Sequence, residues 1–140
     1  MEIRSAESES EIAACYPVLK QLRPHLTAEK FLSQVQRQMQ AYGYTLIYAL
    51  DRGEIKAAAG FRISEFLGWG KTLYIDDLIT HEGDRGQGYG GALMDWLFER
   101  AKECGCEQIH LDSGVHRHQA HRLYLHKRME ISCHHFAKKV

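Results

Sequence analysis

The chain has 140 residues, which is long enough to bury a sizeable core, and its 18 acidic side chains balance its 18 basic ones. Because the charges balance, no strong net field indicates a nucleic acid or a membrane surface as the partner. Residues 1–10 are polar, and no apolar run approaches the length of a membrane-spanning helix. We therefore expect residues 1–140 to form a single cytoplasmic domain, and the four scattered cysteines agree with a reducing compartment.

Helical patterns dominate the beginning of the chain, after a short strand around Ile3 at most. A helix is predicted over Glu9–Leu22, because a serine can cap its start and apolar side chains recur on one face. Pro17 lies inside this range and should kink or shorten the helix. A second helix is predicted to begin at Thr27 and to end at Gly43.

The hydrophobic period then changes to that of β-structure. Tyr44–Leu50 and Ile55–Ile63 are rich in residues that favour strands, and the turn Asp51–Glu54 between them predicts a hairpin. Phe66–Gly70 is predicted to form a second turn. Thr72–Thr80 is predicted to be a third strand, whose apolar run is interrupted by two adjacent acids.

The last third of the chain alternates between helix and strand. An amphipathic helix is predicted over Tyr89–Ala101, and Gly105 suits the left-handed position that ends such a helix. Gln108–Leu111 is predicted to be a short buried strand, Gln119–Lys127 a helix and Ile131–Ala137 a final strand. Because the sequence shows no repeat, linker or low-complexity segment, the elements predict one α/β unit.

Four glycines, Gly86, Gly88, Gly90 and Gly91, lie where the amphipathic helix begins. A glycine inside a helix costs about 1 kcal/mol relative to alanine, so four of them at one end need a reason. Unpaired N–H groups at a helix start, with the helix dipole behind them, form a binding site for phosphate. Arg85 adds a full positive charge. The alternative is a tight turn in which glycine merely permits positive φ angles.

Three other phosphate-binding motifs fit less well. Gly86, Gly88 and Gly91 match the dinucleotide fingerprint, with Asp112 near the position of its ribose-binding acid. The chain after Asp112 is too short for the repeated βαβ units that a dinucleotide fold requires. No Lys-Ser or Lys-Thr follows the glycines, which argues against a P-loop, and the catalytic-loop motif of a kinase is missing.

The pattern that remains is Arg-x-x-Gly-x-Gly, here Arg85–Gly90, between a strand and a helix. It resembles the acetyl-CoA motif of the GNAT superfamily of N-acetyltransferases. Thr72–Thr80 resembles that family's central strand, and Ala120–Tyr124 resembles its last conserved helix, which usually reads Ala-x-x-x-Tyr. The order of the elements is also similar. The resemblance implies an α/β, GNAT-like fold, with a central, mixed but mostly antiparallel twisted sheet flanked by about four helices.

The resemblance implies an enzyme that transfers an acetyl group from acetyl-CoA, its co-substrate, to a primary amine by direct attack through a tetrahedral intermediate. Leu111–Tyr124 resembles a subgroup that acts on small molecules, so we expect a small-molecule amine as partner, and a homodimer is common in the family. The residues expected to bind acetyl-CoA are Leu78, Ile79 and Thr80 beside the pantetheine arm, and Arg85, Gly86, Gln87, Gly88, Tyr89, Gly90 and Gly91 around the diphosphate.

Two side chains are expected to move protons. Tyr124 matches the family's general acid, which protonates the leaving thiolate, although it could instead be a buried aromatic of the core. Asp76 matches an acidic position often assigned as the base, and its charge could equally orient the cationic substrate. Because Asp76 and Asp77 are adjacent on a strand, we expect them to point to opposite faces. A strand amide near Leu78 or Ile79 would stabilise the oxyanion.

The match departs from the family pattern after the glycine motif. Arg117 stands where the family commonly has Asn, and Arg128 and Met129 stand where it has Gly and Phe. Arginine at a helix end that prefers glycine would be strained if its φ is positive. Substrate choice is expected to reside in the first two helices and in the loop Glu65–Lys71.

Two other functions stay open at this point. A sensor that binds acyl-CoA without turnover would share both the fold and the glycine motif. The histidines after His110 could instead form a metal site, since His118 and His121 share a helical face. No Cys-x-x-Cys or His-Glu-x-x-His motif accompanies them, so no metal ligand is predicted.

Overall fold

The computed structural model describes every residue from Met1 to Val140. The strands are β1 (Glu2–Ser5), β2 (Thr45–Asp51), β3 (Glu54–Phe66), β4 (Gly70–Thr80) and β5 (Gln108–Leu111). The helices are α1 (Glu9–Ala14), α2 (Tyr16–Leu22), α3 (Ala28–Tyr42), α4 (Tyr89–Glu103) and α5 (His118–His126), with a 3-10 turn over Glu82–Asp84. None of these helices combines the length and the apolar character that crossing a bilayer requires.

The five strands form one sheet in which neighbours in sequence are also neighbours in space, in the order β1-β2-β3-β4-β5. The first three pairs are antiparallel. β4 and β5 are parallel because α4 carries the chain back before β5 begins. The expected mixed, mostly antiparallel sheet is therefore confirmed, with five α-helices rather than about four.

Each face of the sheet packs against its own group of helices. On one face α4 and α5 cover a core that includes Leu93, Met94 and Leu97, all fully buried. On the other face α1, α2 and α3 cover a second core around Ile12 and Leu46. Burial of these apolar side chains is the main favourable contribution to folding. The sheet is therefore a middle layer whose strands can carry residues toward either group of helices.

The first predicted helix is in fact two. The Ser8 hydroxyl accepts a hydrogen bond from the amide of Glu11, whose carboxylate accepts one from the Ser8 amide, so a capping box starts α1. α1 ends at Ala14, and after the single residue Cys15 the helix α2 starts at Tyr16 with Pro17 in its first turn. Proline is tolerated in a first turn because its missing N–H would have no intrahelical partner there. The break predicted at Pro17 thus becomes a new helix start.

The predicted final strand over Ile131–Ala137 is wrong. The segment has no strand partner and no regular structure. Its two largest apolar side chains lie in solvent, with Ile131 83% and Phe136 93% exposed. A strand needs a neighbouring ladder and an apolar face to bury, and polar residues between these two side chains leave no such face. Short β-favouring composition alone was therefore a misleading signal.

Candidate active site

Two cavities lie along β4. The first, of about 640 Å³, is bounded by the end of β4, by the start of α5 and by Arg85–Gly91, which we call the glycine turn. The second, of about 570 Å³, lies between β4 and the helices α2 and α3. Asp76 and Asp77 line the second cavity, whereas the next residues along the strand, Leu78–Thr80, line the first. The cavities share no lining residue, but Asp77 of the second and Leu78 of the first are consecutive residues of β4.

The glycine turn needs glycine for its backbone conformation at two positions. Gly86 has φ of 79° and Gly88 has φ of 90°, both in the left-handed region that L side chains rarely adopt. A Cβ at either position would meet no atom within 4 Å. Gly88 is the N-cap of α4, and no side chain caps this helix. The first amides of α4 therefore have no side-chain acceptor and face the cavity.

Gly90 is required for a different reason, namely close packing. A Cβ there would lie 3.3 Å from Leu123 Cδ2 and 3.5 Å from Thr80 Oγ1. Because Gly90 has no Cβ, α4, β4 and α5 can pack closely together at this position. A Cβ at Gly91 would lie at an ordinary contact distance, 3.7 Å, from Lys127 Cε. Gly86 and Gly88 therefore fit the interpretation as a turn that needs positive φ angles, whereas Gly90 permits close packing, and phosphate binding by the turn stays a prediction.

The other residues of the glycine turn contribute unequally. Arg85 lines the first cavity and forms no ion pair with the protein, so its guanidinium is free for an anion. Tyr89 turns its ring into the core and donates its hydroxyl to Asp51 Oδ2 at 2.7 Å, so only its main chain faces the cavity. Gln87 is the one residue of the expected acetyl-CoA set that does not line this cavity. An open cavity with uncapped amides and a free arginine fits a diphosphate.

The main chain at the end of β4 also opens into the first cavity. β5 pairs with β4 only as far as Ile75, so the later residues of β4 have no strand on that side. The amide of His81 donates to the carbonyl of Lys56 at 2.8 Å, which makes this a hydrogen-bonded pair of the β3–β4 ladder. Since such pairs alternate, the N–H and C=O groups of Leu78 and Thr80 point away from β3 and into the gap.

Tyr124 lies on the wall of the first cavity, in the middle of α5. It is 8% exposed, and burial raises the pKa of its phenol, while the neighbouring Arg117 acts in the opposite direction. The turn after α5 holds Arg128 at φ of 66°, so the arginine does occupy a left-handed position. The Met129 amide then donates to the Tyr124 carbonyl at 3.0 Å, which closes the helix end under the tyrosine.

The two adjacent acids do not point to opposite faces as expected. The β3–β4 register pairs Gly60 with Asp77 and Phe61 with Ile75, so Asp76 is an extra residue on β4. Such a β-bulge interrupts the alternation of side chains along a strand. Both carboxylates therefore line the second cavity.

Asp76 is paired with an arginine of the neighbouring strand. Arg62 donates from Nε to both carboxylate oxygens, at 3.0 and 3.1 Å, and from Nη2 to Oδ2 at 2.5 Å. Burial raises the pKa of Asp76, and the Arg62 charge opposes this shift. The pairing keeps a half-buried carboxylate charged at the cavity wall.

Asp77 is held by two other donors. The Tyr44 hydroxyl donates to Oδ2 at 2.8 Å, and Arg23 donates from Nε to Oδ1 at 3.0 Å. Arg23 Nη2 also donates to the Asp76 carbonyl at 2.9 Å. A Cβ at Gly60 would overlap the Tyr44 phenol, so this glycine makes the room that the tyrosine occupies. Burial raises the pKa of Tyr44 strongly, so it remains a neutral donor.

Several lining residues were not anticipated from the sequence. The segment His116–Ala120 forms one wall of the first cavity, and Arg23, Tyr44 and Arg62 surround the acids of the second. No local signal marks them, because strand register and helix packing bring them together. Of the segments expected to determine substrate choice, α2 and α3 line the second cavity, whereas the loop Glu65–Lys71 lines neither cavity.

The histidines are dispersed in the structure. His116 and His118 line the first cavity. His121 bonds through Nε2 to the Gly114 carbonyl at 2.8 Å, and His135 lies 3.2 Å from Asp112. No group of three or more His, Cys, Asp or Glu side chains comes together in a way that could hold a metal ion.

The first cavity thus combines an open strand with an uncapped, glycine-rich helix start within an α/β fold. The family model described as the Acetyltransferase (GNAT) family matches residues 8–129. The chain belongs to this family and is an acetyltransferase. Use of acetyl-CoA is typical of the family.

Individual relatives agree with this assignment. Over 127 residues, 91% of this chain and 89% of the relative, the chain is 31% identical to the uncharacterized N-acetyltransferase YhdJ of Bacillus subtilis (strain 168). Over 64 residues, 46% of this chain and 42% of that protein, it is 34% identical to the aminoalkylphosphonate N-acetyltransferase of Salmonella typhimurium (strain LT2). Its fold matches the crystal structure of a transcriptional regulator from Bacillus halodurans C-125 with a TM-score of 0.87, at 26% identity and with 99% of each chain covered.

Proposed function

We propose that the chain, acting as one domain over residues 1–140, transfers an acetyl group from acetyl-CoA to a primary amine of a small molecule. The observation that carries this proposal is the pair of cavities that adjoin on β4, one lined by anion-binding main chain and the other by two carboxylates. A relative named for an aminoalkylphosphonate substrate, itself a small-molecule amine, supports the acceptor class.

In this proposal the first cavity holds acetyl-CoA, which supplies an acetyl thioester. The amine nitrogen attacks its carbonyl carbon to form a tetrahedral intermediate, and the C–S bond breaks when that intermediate collapses to the amide. The amides of Gly86–Gly91 and the Arg85 guanidinium bind the diphosphate. The outward main-chain groups of Leu78 and Thr80 bind the pantetheine arm as an added strand would. Gln87 does not line this cavity, so its side chain has no part in the proposal.

The Leu78 amide is the proposed donor to the oxygen that becomes negative during attack. It is the first outward-pointing amide of β4 after the two acids, so it lies where the cavities adjoin. The Ile79 amide is excluded because it faces β3 within the ladder. One such donor typically contributes about 10²–10³ in rate.

Tyr124 is the proposed general acid. A free phenol titrates near 10 and a free thiol near 8.5, so a phenol is the weaker acid of the two. Burial raises the pKa of Tyr124 further, which makes delivery of its proton efficient only as the sulfur departs. Tyr124 therefore holds its proton at the cavity wall until the C–S bond is breaking.

Asp76 is the proposed acceptor of the amine proton. The Arg62 pair keeps this carboxylate ionised, and the charge attracts the ammonium form of the acceptor before it is deprotonated. An ammonium gives up two protons in becoming an amide: Asp76 accepts one, and the other replaces the proton that Tyr124 gives to the departing sulfur. Asp76 thus serves both substrate orientation and proton removal.

The decisive experiment measures free thiol released from acetyl-CoA in the presence of amines. Aminoglycosides, polyamines, amino acids and aminophosphonates form the panel, and mass spectrometry identifies the acetylated product. We expect release with at least one class of small amine. Binding of CoA without thiol release from any amine would make the protein a sensor and refute the proposal.

A further inference from the structure

The second cavity carries a graded distribution of charge. At its floor the carboxylates of Asp76 and Asp77 have exposures of 20% and 17%. Each is matched by one arginine, Arg62 for Asp76 and Arg23 for Asp77. The floor is therefore close to neutral in sum, and its carboxylates still have free lone pairs for the N–H groups of an amine.

At the mouth of the same cavity stands an arginine with no protein partner. Arg37 projects from α3, is exposed and lines the cavity, yet it forms neither a hydrogen bond nor an ion pair with another residue. By contrast, Arg62 donates from Nε and Nη2 to Asp76 and from Nη1 to the Tyr42 carbonyl at 3.3 Å. Of the three arginines that line the cavity, only Arg37 keeps its whole donor fork free.

Resting on the proposed function, we infer that the acceptor is an amine that carries an acidic group, a carboxylate or a phosphonate, at the end remote from its nitrogen. The amine lies on the floor, because Asp77 is followed directly by Leu78, which lines the first cavity. The acidic group lies at the mouth and binds Arg37.

The chemistry at the mouth of the second cavity explains why an amine with an acidic group would be selected. A guanidinium matches both oxygens of a carboxylate or phosphonate with two parallel N–H donors. A polyamine would instead place a second positive charge beside Arg37, whose own charge is not balanced by any acid. Arg37 is therefore a specificity-determining residue for the acceptor, with no part in proton transfer.

The test compares acidic acceptors with their uncharged counterparts. Short aminoalkyl carboxylates and aminoalkylphosphonates are each assayed beside their amide or ester, so that the two acid types form separate arms. The wild type, Arg37→Gln and Lys30→Gln are compared. Lys30 is a matched control because it is an exposed cation on the same helix that lines neither cavity.

We expect the wild type to prefer the acidic member of a pair in kcat/KM by about 10- to 100-fold. In Arg37→Gln this preference should fall toward unity through a higher KM for the acidic amine, whereas Lys30→Gln should retain it. Equal use of acidic and uncharged amines by the wild type, or a preference that survives Arg37→Gln, would overturn the inference while the acetyltransferase proposal stands.

Calorimetry of acceptor binding to the protein with CoA tests the inference about the second cavity even if the proposed reaction fails. If no amine releases thiol, the proposed reaction fails. The inference about the cavity then stands if the acidic amine still binds in an Arg37-dependent manner, and it fails if neither member of a pair binds.

Discussion

The two cavities on β4 are lined by different kinds of chemical group. In the first, the part proposed to bind the diphosphate and the pantetheine arm is mostly main chain of the glycine turn and of the open edge of β4, which are close together in sequence, and His116–Tyr124 forms the other wall. The second is formed by side chains from distant segments, in which Arg23 and Tyr44 meet Asp77 while Arg62 meets Asp76. A short stretch of sequence can encode much of a site for an invariant ligand. A site that selects among acceptors depends instead on how separate elements pack.

Tyr124 is the exception in the first cavity, because there a side chain rather than the main chain is proposed to perform chemistry. Tyr124→Phe should lower kcat by about 10²-fold or more, since the ring packing is kept and only the proton donor is lost. The KM for acetyl-CoA should stay within about twofold, because the main-chain groups that bind it are unchanged. Steady-state kinetics with both substrates varied provides the measurement.

A control for the missing hydroxyl is Tyr48→Phe. Tyr48 is also buried, and its hydroxyl donates to Glu11 at 2.9 Å, outside both cavities. This variant should lose about 1 kcal/mol of stability and keep its kcat. A parallel loss of kcat and of acetyl-CoA affinity in Tyr124→Phe would reassign Tyr124 to packing.

The second cavity is most sensitive at Gly60, where a glycine is needed for space rather than for its backbone angle. Gly60→Ala would push a methyl group into the Tyr44 phenol, which overpacks the wall and displaces the donor to Asp77. We expect a loss of about 1–3 kcal/mol in the free energy of unfolding, measured by urea titration, and a raised KM for the amine.

Gly68→Ala is the matched control for that change. Gly68 lies at the tip of the β3–β4 hairpin, where a Cβ would meet no atom within 4 Å. It should leave both the urea midpoint and the KM for the amine unchanged. Equal stability of Gly60→Ala and Gly68→Ala would show that Tyr44 is not held as closely as described.

The predictions made from the sequence succeeded for features set by residues close together in the chain. The turn at the glycines, the helix end at Gly43 and the left-handed Gly105 were predicted correctly, because each is a local conformational requirement that the residue type itself reveals. Tyr124 was singled out by a local motif, and it lies on the wall of the first cavity, while its role as general acid stays a prediction.

The failures arose where distant segments decide the outcome. The opposite-face prediction for Asp76 and Asp77 was wrong, because the bulge opposite Gly60 belongs to the β3–β4 register and leaves no mark within β4. Arg37 was missed because an exposed arginine on a helix looks the same whether or not a cavity opens beside it. The strand over Ile131–Ala137 was wrong because no neighbour pairs with it.

A smaller effect tests whether the first cavity depends on backbone conformation. Gly88→Ala places a β-carbon at φ of 90° and points it into the open cavity. The strain should cost about 1 kcal/mol of stability. The KM for acetyl-CoA should rise by about tenfold, because the methyl group occupies space proposed for the diphosphate.

Gly53→Ala is the control that separates the effect of backbone strain from an effect on acetyl-CoA binding. Gly53 has a similar φ of 75° and similar open space, but it lies in the β2–β3 turn and lines neither cavity. Both variants should lose the same stability, and only Gly88→Ala should need more acetyl-CoA. If their KM values match, the glycine turn does not bind the diphosphate.

The smallest expected effect is a pH dependence in the second cavity. Burial raises the pKa of Asp76 above its ordinary value of 3.8, so in the window just above that value the folded state binds more protons than the unfolded one. The stability contributed by this group is therefore complete below 3.8 and is lost as the pH rises through the folded pKa. Asp76→Asn should remove that segment of the stability profile in urea titrations.

Arg62 opposes the shift, so its removal should act in the reverse direction. Arg62→Gln leaves the half-buried carboxylate without its partner, which raises the pKa of Asp76 further and widens the window in which stability falls with pH. The fall of stability with pH should therefore be smaller than in the wild type for Asp76→Asn and larger for Arg62→Gln. If Arg62→Gln lost the same stability at every pH, the arginine would act by packing alone, and the charge pairing described for the floor of the second cavity would be incorrect.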